Sequence, residues 1–501
     1  MPHLAARPRD ALSSLTLRHA LWLATAAVVV LLAFAAWPFF HFAAATLRFR
    51  YPLDYGEGDL LDEAIRFHHL SDIYRPDLST GPYLVANYPP LLDLVLRPFL
   101  RVYGPAYWYG RLISQASVLV TACALGLVVQ AFTDDATAAL LSGLSFIAIP
   151  CVVFWGQFVR VDPFALALTW VALTWLVRGR QGPWTLAGVG LLLVASAYTR
   201  QSYALAGPCA SVSWLWFHQR RRTAAVCLAA LIGGGGLLLL LALTLATHGG
   251  FAYHVIVATL NRCSWGRLAA LGLPALSQAA VFVLLGLLAA LIARRERPSW
   301  GALFVPYLIC AVFEAVLAAK VGSYVNYFLE LAAACSLGVG LCWAWAHRQP
   351  GRQAGLLALL ALQALLLGRG NALYRELSSE LDHAPAQAEL LRMVRRSPGF
   401  VLADDEMGLL PLAHKPVYVD PFSMTQLAYE GRWNDRPLAQ AIRQHLFSLI
   451  LLHKNSAHPG RVHAMWTPRL YAAIGEAYTQ VAEIPVDRHN FVAVFRPAGS
   501  P

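Results

Sequence analysis

The chain has 501 residues, 58% hydrophobic and 13% charged, with a mean hydropathy of +0.52. Soluble domains carry roughly 25% charged residues, and here the apolar residues form continuous runs instead of alternating. A β-barrel is therefore excluded, and a mainly α, polytopic membrane bundle is expected. The net charge of +11 does not indicate nucleic acid, because the basic residues cluster in short loops between apolar runs, as the positive-inside bias produces.

The basic N-terminus, MPHLAARPRD, leads into an apolar run without a small-residue cleavage site, so it reads as an uncleaved first span. About eleven spans are expected: Leu21–Phe42, Leu112–Phe132, Ala136–Trp155, Pro163–Val177, Trp184–Tyr198, Tyr203–Phe217, Ala224–Thr247, Ala275–Ala293, Gly301–Ala319, Phe328–Ala346 and Ala354–Gly368. Several are shorter than the roughly 20 residues a straight crossing needs. With Arg7, Arg9 and Arg18 in the cytoplasm, the clusters Arg178/Arg180, Arg220/Arg221/Arg222, Arg294/Arg295/Arg297 and Arg348/Arg352 fall on the same side. Only the Asp134-Asp135 turn runs against this trend. The loops at Asp54, Arg160, Arg200, His248–Pro274 and Lys320 then face outward, with everything after Arg369.

The first outer loop, about residues 44–108, opens with YPLDYGEGD at Tyr51–Asp59. Asp54, Glu57 and Asp59 lie within six positions, spaced by Tyr55, Gly56 and Gly58. Carboxylates so near a bilayer are costly to desolvate without a task or a partner. Leu60–Leu70 has helical apolar spacing and is expected along the interface, followed by the Asn87-Tyr88-Pro89-Pro90 turn and the amphipathic Leu91–Tyr103. His248–Arg267 is a further amphipathic stretch. Gly233–Gly236, inside an apolar run, reads as a close helix contact and not a phosphate loop.

After Gly368 the chain turns polar. Phe400–Ala403, Val417–Val419, Leu449–Leu452 and Phe491–Phe495 read as strands, with helices at Ala386–Arg396, Leu438–His445 and Pro468–Tyr478. This alternation predicts a small α/β domain over 369–501, beside a membrane domain over 1–368. Asp404-Asp405-Glu406 follows a strand and reads either as a helix cap or as a ligand site. Of the eight cysteines, all but Cys263 lie inside the expected spans and none follows Gly368. No zinc spacing appears, so a structural metal is not expected.

Four outward clusters carry polar groups: Arg160-Val-Asp162, Thr199-Arg200-Gln201, Asn261-Arg262, and Lys320 through Asn326-Tyr327 to Glu330. Each alone fits snorkelling at a span end. Together they place cations on the side of the acidic loop, where Arg and Lys are normally scarce. Transfer of a group from a lipid phosphate needs this pairing. Arg160, Arg200 or Lys320 would hold the leaving phosphate, and Glu57 or Asp54 would take a proton from an acceptor hydroxyl.

The pieces Asp54-Tyr-Gly-Glu57-Gly, Tyr88-Pro-Pro-Leu, Gly110-Arg111-Leu-Ile-Ser, Arg160-Val-Asp162, Thr199-Arg200-Gln201 and Asn326-Tyr327-Phe-Leu-Glu330 resemble the GT-C superfamily of polyprenol-dependent glycosyltransferases. Among these, the chain is most similar to bacterial members related to glycosyltransferase family 39. The resemblance covers about Leu21–Gly368, and the C-terminal segment is similar to the outer tail of some bacterial members. It implies many spans with outer interfacial helices, a polyprenyl-phosphate-linked sugar donor, and an acidic catalytic residue in the first outer loop. On this chain that residue is Glu57 or Asp54. Many relatives have an adjacent Asp-Glu pair, and Gly56 stands where the Asp would be. Asp59, Tyr88, Arg111, Arg160, Asp162, Arg200, Arg262, Lys320, Asn326, Tyr327 and Glu330 are the expected substrate-binding residues. A divalent metal is compatible with the resemblance, since some relatives use one, although no ligand set is legible.

The expected protein is a multi-pass glycosyltransferase of the bacterial plasma membrane, with its C-terminal domain outside the cytoplasm. It would move a hexosyl or pentosyl group from the polyprenyl phosphate to a lipid, glycan or protein acceptor within the envelope. A transporter or flippase for a lipid-linked substrate is the alternative, and a docking scaffold a third reading. A tail packed over the acidic loop, leaving a groove between them, would favour the enzyme.

Overall fold

The computed structural model describes residues 8–180, 182–368 and 370–499. Arg7, one of the orienting cations, and Arg369, where the outward segment was expected to begin, lie outside the described residues. The protein is a multi-pass helical membrane protein with a small sheet near its C-terminus. Each expected apolar run is helical, but the count of full spans is lower than eleven. Among the described residues seven helices have the length and composition to cross a membrane. The number is eight if Trp265–Gln278 and Ala280–Arg295, bent by 84°, form one span.

The shortfall has local causes. Pro150 divides the Ala136–Trp155 run into helices Ala136–Ala148 and Pro150–Trp155, because proline lacks the N–H that would continue the ladder. Pro183–Ala197 is also short. The Tyr203–Phe217 run breaks at Leu205, between the turn Gln201–Ala204 and the helix Ala206–Ser213.

The Trp108–Thr133 helix packs against Ala136–Ala148, Val161–Arg178 and Leu329–Ala346, with Leu125, Val128 and Val129 in the main core. Close helix contact by glycine occurs elsewhere than at the glycine string. A methyl at Gly338 would sit 2.7 Å from Gly286 Cα, so helices Ala280–Arg295 and Leu329–Ala346 cross backbone to backbone. Around Gly233–Gly236, by contrast, a methyl would meet nothing within 4 Å. That helix, Arg222–Ala246, leaves Leu237, Leu238, Leu241 and Leu245 exposed, as a lipid-facing helix does.

The first long loop folds inward. Its helix Tyr55–Arg66 buries Leu60, Leu61, Asp62, Glu63 and Ala64, so Leu60–Leu70 is not the interfacial helix expected. Leu91–Tyr103 keeps that character, with Leu94, Val102 and Tyr103 exposed. The His248–Arg267 stretch is not one helix. After short turns from Gly250 to Val257, a new helix begins at Trp265, capped by Ser264.

The sheet has the order β1-β2-β4-β3, with β1 Phe400–Ala403, β2 Phe447–Asn455, β3 Tyr478–Pro485 and β4 Asn490–Pro497. β1 runs parallel to β2, and β4 runs antiparallel to β2 and β3. Helices Pro421–Tyr429 and Arg436–Arg443 lie in the connection from β1 to β2. The expected strand Val417–Val419 is not part of the sheet. Val419 bridges to Tyr83 of the first long loop, with Tyr83 N donating to Tyr418 O and Asp420 N to Tyr83 O, both at 2.8 Å.

The tail is thus seated on the acidic loop. Gly58 meets Gly408 so closely that a methyl on Gly58 would lie 2.6 Å from Gly408 Cα. Tyr107 donates its hydroxyl to Gly408 O at 2.5 Å, and Trp433 Nε1 donates to Leu78 O at 3.0 Å. The first helix after Gly368, Ala372–Asp382, packs differently: its Leu377 joins the core of the bundle.

Candidate active site

Asp54 precedes the Tyr55–Arg66 helix in extended backbone and caps it, its Oδ1 accepting from Glu57 N at 3.0 Å. Capping fixes the carboxylate, because the first turn of a helix leaves N–H groups unpaired. Oδ2 then receives the Arg160 guanidinium in an ion pair. Gly56 is part of this arrangement. Any side chain there would occupy the space of the Arg160 guanidinium, which accounts physically for glycine beside the carboxylates.

Glu57 sits one turn into the same helix with 0% exposure. Its Oε1 accepts from Arg111 Nε at 2.9 Å and from Val159 N at 2.8 Å. Its Oε2 accepts from Arg111 Nη2 at 2.6 Å and from Leu53 N at 2.8 Å. Arg111 spends its remaining donors on the carbonyls of Thr46, Phe49 and Tyr51. The pair staples the end of the first helix to the start of the acidic loop. Asp54 lines the cavity between the bundle and the tail, and Glu57 and Arg111 do not.

Between the bundle and the tail lies a cavity of about 500 Å³. On the bundle side it is lined by Asp54, Tyr55, Tyr88, Trp155, Phe158, Arg160, Arg267, Asn326 and Tyr327. Asp405, Glu406, Phe422 and His453 line the tail side. Arg160 lies 4.6 Å over the Trp155 ring. The Nε groups of Arg160 and Arg267 are buried donors without a partner among the described residues, so the floor holds two cations with unused N–H groups.

Asp162 and Arg200 stand behind this floor as an ion pair. Asp162 also accepts from Trp155 Nε1 at 2.8 Å and Asn326 Nδ2 at 3.0 Å, and Arg200 lies 4.5 Å over the Tyr327 ring. They orient three lining side chains and do not themselves reach the cavity. Arg200 also approaches Glu314 at 3.3 Å, and Glu330 is buried, its Oε1 without a partner among the described residues. Asp59 does not line this cavity, and desolvation with the nearby Asp420 and Asp62 holds its carboxyl well above the usual range. Burial likewise raises Tyr88, to about 12, so it stays a neutral hydroxyl.

Of the expected substrate residues, the structure therefore brings Tyr88, Arg160, Asn326 and Tyr327 to one cavity, together with Asp54, one of the two expected catalytic carboxylates. Arg262 is exposed and does not line it, and Lys320 is half-buried and does not line it either. The cation found in their place is Arg267, whose guanidinium also donates to Ser323 O. A signal for it existed: Ser264 caps a helix and accepts from Arg267 N at 3.4 Å, which puts residue 267 in a fixed first turn. Among the described residues no three His, Cys, Asp or Glu side chains are grouped as metal ligands.

No family model matches the sequence, and no curated protein matches it. Solved structures do. ArnT from Cupriavidus metallidurans in the apo state is similar with a TM-score of 0.59 at 14% identity, over 94% of this chain and 98% of that chain. The same protein bound to undecaprenyl phosphate gives 0.58 at 14% identity over the same shares. The Archaeoglobus fulgidus oligosaccharyltransferase in the apo form gives 0.56 at 10% identity, over 89% of this chain and 73% of that one. The chain has the GT-C fold.

Proposed function

We propose that the protein is a membrane glycosyltransferase that moves a sugar from a polyprenyl phosphate to a hydroxyl acceptor on the outer face of the bacterial plasma membrane. The observation that carries this reading is the cavity between acidic loop and tail, in which Asp54 pairs with Arg160 and which Arg267 also lines. A scaffold that used the tail for docking has no need of a polar groove beneath it. The fold supports the reading too, since one solved neighbour binds undecaprenyl phosphate.

The phosphate of the donor would lie across the free N–H groups of Arg160 and Arg267, which stabilise charge as it leaves. The acceptor oxygen attacks the anomeric carbon, the bond from that carbon to the phosphate oxygen breaks, and the hydroxyl proton passes to Asp54. Trp155 and Tyr327 would flank the sugar ring. Asp162 and Arg200 hold these walls in place, and Glu57 with Arg111 holds the loop that carries Asp54.

The test is transfer from metabolically labelled lipid-linked sugar in membranes carrying Asp54→Asn. Asparagine also caps helices, so the loop keeps its fold while transfer falls by roughly 100- to 10,000-fold, the usual worth of a general base. Full transfer by this variant would remove Asp54 from the chemistry.

A further inference from the structure

The two walls of the cavity carry opposite charge. Arg160 and Arg267 belong to the bundle wall. Asp404, Asp405 and Glu406 belong to the tail wall, with Glu376 and Glu380 at its side. The tail wall sits at a particular place in the sheet. β1 and β2 run parallel, so their C-terminal ends share one edge. Asp404–Glu406 follow β1, and His453–Asn455 end β2. Open α/β sheets bind ligands at the carboxyl ends of their strands.

The groups at this edge are unequally used. Asp404 is spent, accepting from His453 N and Asp405 N at 2.8 Å and Trp466 Nε1 at 3.0 Å. Glu406 is 5% exposed, yet its Oε2 has no partner among the described residues. His453 Nδ1 also has none, standing 3.8 Å from Glu406 Oε1 and 3.9 Å from Asp405 Oδ2, beyond hydrogen-bond reach. Its Nε2 lies 3.3 Å from Asn490 Oδ1. Burial alone would discharge the imidazole, but the carboxylates of Glu406, Asp405 and Asp404 outweigh it and hold His453 at about 9, so Nδ1 carries a proton at neutral pH. The wall therefore presents a buried acceptor and a buried donor, both unmet. A sugar hydroxyl is donor and acceptor at once. A phosphate dianion would face the carboxylates of Asp405 and Glu406 against one imidazolium.

We propose that this edge, through Glu406, Asp405 and His453, is the subsite of the accepting sugar and takes an uncharged, hydroxyl-rich head while turning phosphorylated heads away. The assignment rests on the glycosyltransferase reading and adds the class of acceptor. Donor phosphate lies on the bundle wall, beside Asp54, and acceptor hydroxyls on the tail wall.

The experiment is saturation-transfer NMR on the full chain in nanodiscs, with methyl glucoside, methyl galactoside and methyl mannoside and the 6-phosphate of each. At least one neutral glycoside should bind, with its phosphate at least tenfold weaker. The isosteric pair Asp405→Asn/Glu406→Gln should cut that discrimination at least threefold, chiefly by gaining affinity for the phosphate. A gain of this kind does not follow from damaged folding, and unfolding midpoints check the fold. No binding by any glycoside, equal or better binding of the phosphates, or unchanged discrimination in the double variant overturns the proposal. Farnesyl phosphate, added to the same samples with and without Arg267→Gln, separates the two readings. If its binding needs Arg267 while the glycosides fail, the acceptor subsite falls and the donor site stands. If farnesyl phosphate does not bind at all, the transferase reading falls with it.

Discussion

At the scale of single residues, two carboxylates one helical turn apart have opposite fates. Glu57 is enclosed and fully hydrogen-bonded to Arg111 and two backbone N–H groups, whereas Asp54 stands at the cavity edge against Arg160. Removing one partner of a buried pair costs about 3–5 kcal/mol, because the other charge is left uncompensated. Glu57→Gln should therefore lower the unfolding midpoint in detergent sharply, while Asp54→Asn, which breaks a pair open to the cavity, lowers it less and removes activity. Equal midpoints for the two variants would contradict this division. Sequence alone left the pair open for a physical reason. Spacing puts both carboxylates at a helix start, but which one turns inward depends on where Arg111 and Arg160 arrive from distant helices. His453 supplies a second residue-scale prediction. Its folded value, about 9, lies above the ordinary 6.5, so the folded protein holds this proton more tightly than the unfolded chain. The resulting stabilisation is complete below about pH 6.5 and is lost as pH rises toward 9. The midpoint of the wild type should fall over that window more steeply than that of His453→Gln, and parallel curves would show that the carboxylates do not hold the proton.

At the scale of elements, glycines separate contact from open space. Gly58 faces the backbone of Gly408, which cannot move aside as a flexible side chain would. Gly58→Ala should push the tail off the acidic loop, costing about 1–3 kcal/mol as overpacking does and reducing transfer with it. Gly234→Ala is the control, since nothing lies within 4 Å of the added methyl and alanine favours helix over glycine by about 1 kcal/mol. Its midpoint should hold or rise, and a drop as large as that of Gly58→Ala would show that the glycine string does make a contact. The string was legible as glycine but not as exposed, because apolar runs facing lipid and apolar runs facing helices read alike. Strand β3 was missed for the converse reason. At Tyr478–Pro485 only Tyr478 and Ile484 are buried, so no apolar run marks it. Val417–Val419 looks like a strand and is extended, but it pairs with Tyr83 across more than 300 residues, which local pattern cannot register.

At the scale of the molecule, the membrane character and the α/β alternation of the tail were readable from composition and period. The dependence of the tail on the loop was not. Leu78, Tyr83 and Val85 from the first long loop, with Ala258, lie in the same hydrophobic cluster as Leu402, Val419, Trp433, Ile450 and Trp466. The tail's core is therefore completed by residues that precede it by hundreds of positions. Cut away at residue 370, it would uncover Tyr418, Val419 and Trp433 and leave Trp433 Nε1 without Leu78 O. Burying a large apolar side chain contributes about 1.5–3 kcal/mol, and a domain of this size has only about 5–15 kcal/mol in total. Losing three such burials consumes much of that margin. A fragment of residues 370–501 should then give poorly dispersed amide spectra and bind hydrophobic dyes, and a synthetic peptide spanning residues 75–90 should restore dispersion. A well-dispersed spectrum from the fragment alone would mean that the tail folds by itself and merely rests on the loop. The cavity would then be a gap between two independent bodies, free to open, and the fixed opposition of Asp54 to the tail wall would no longer follow from the fold.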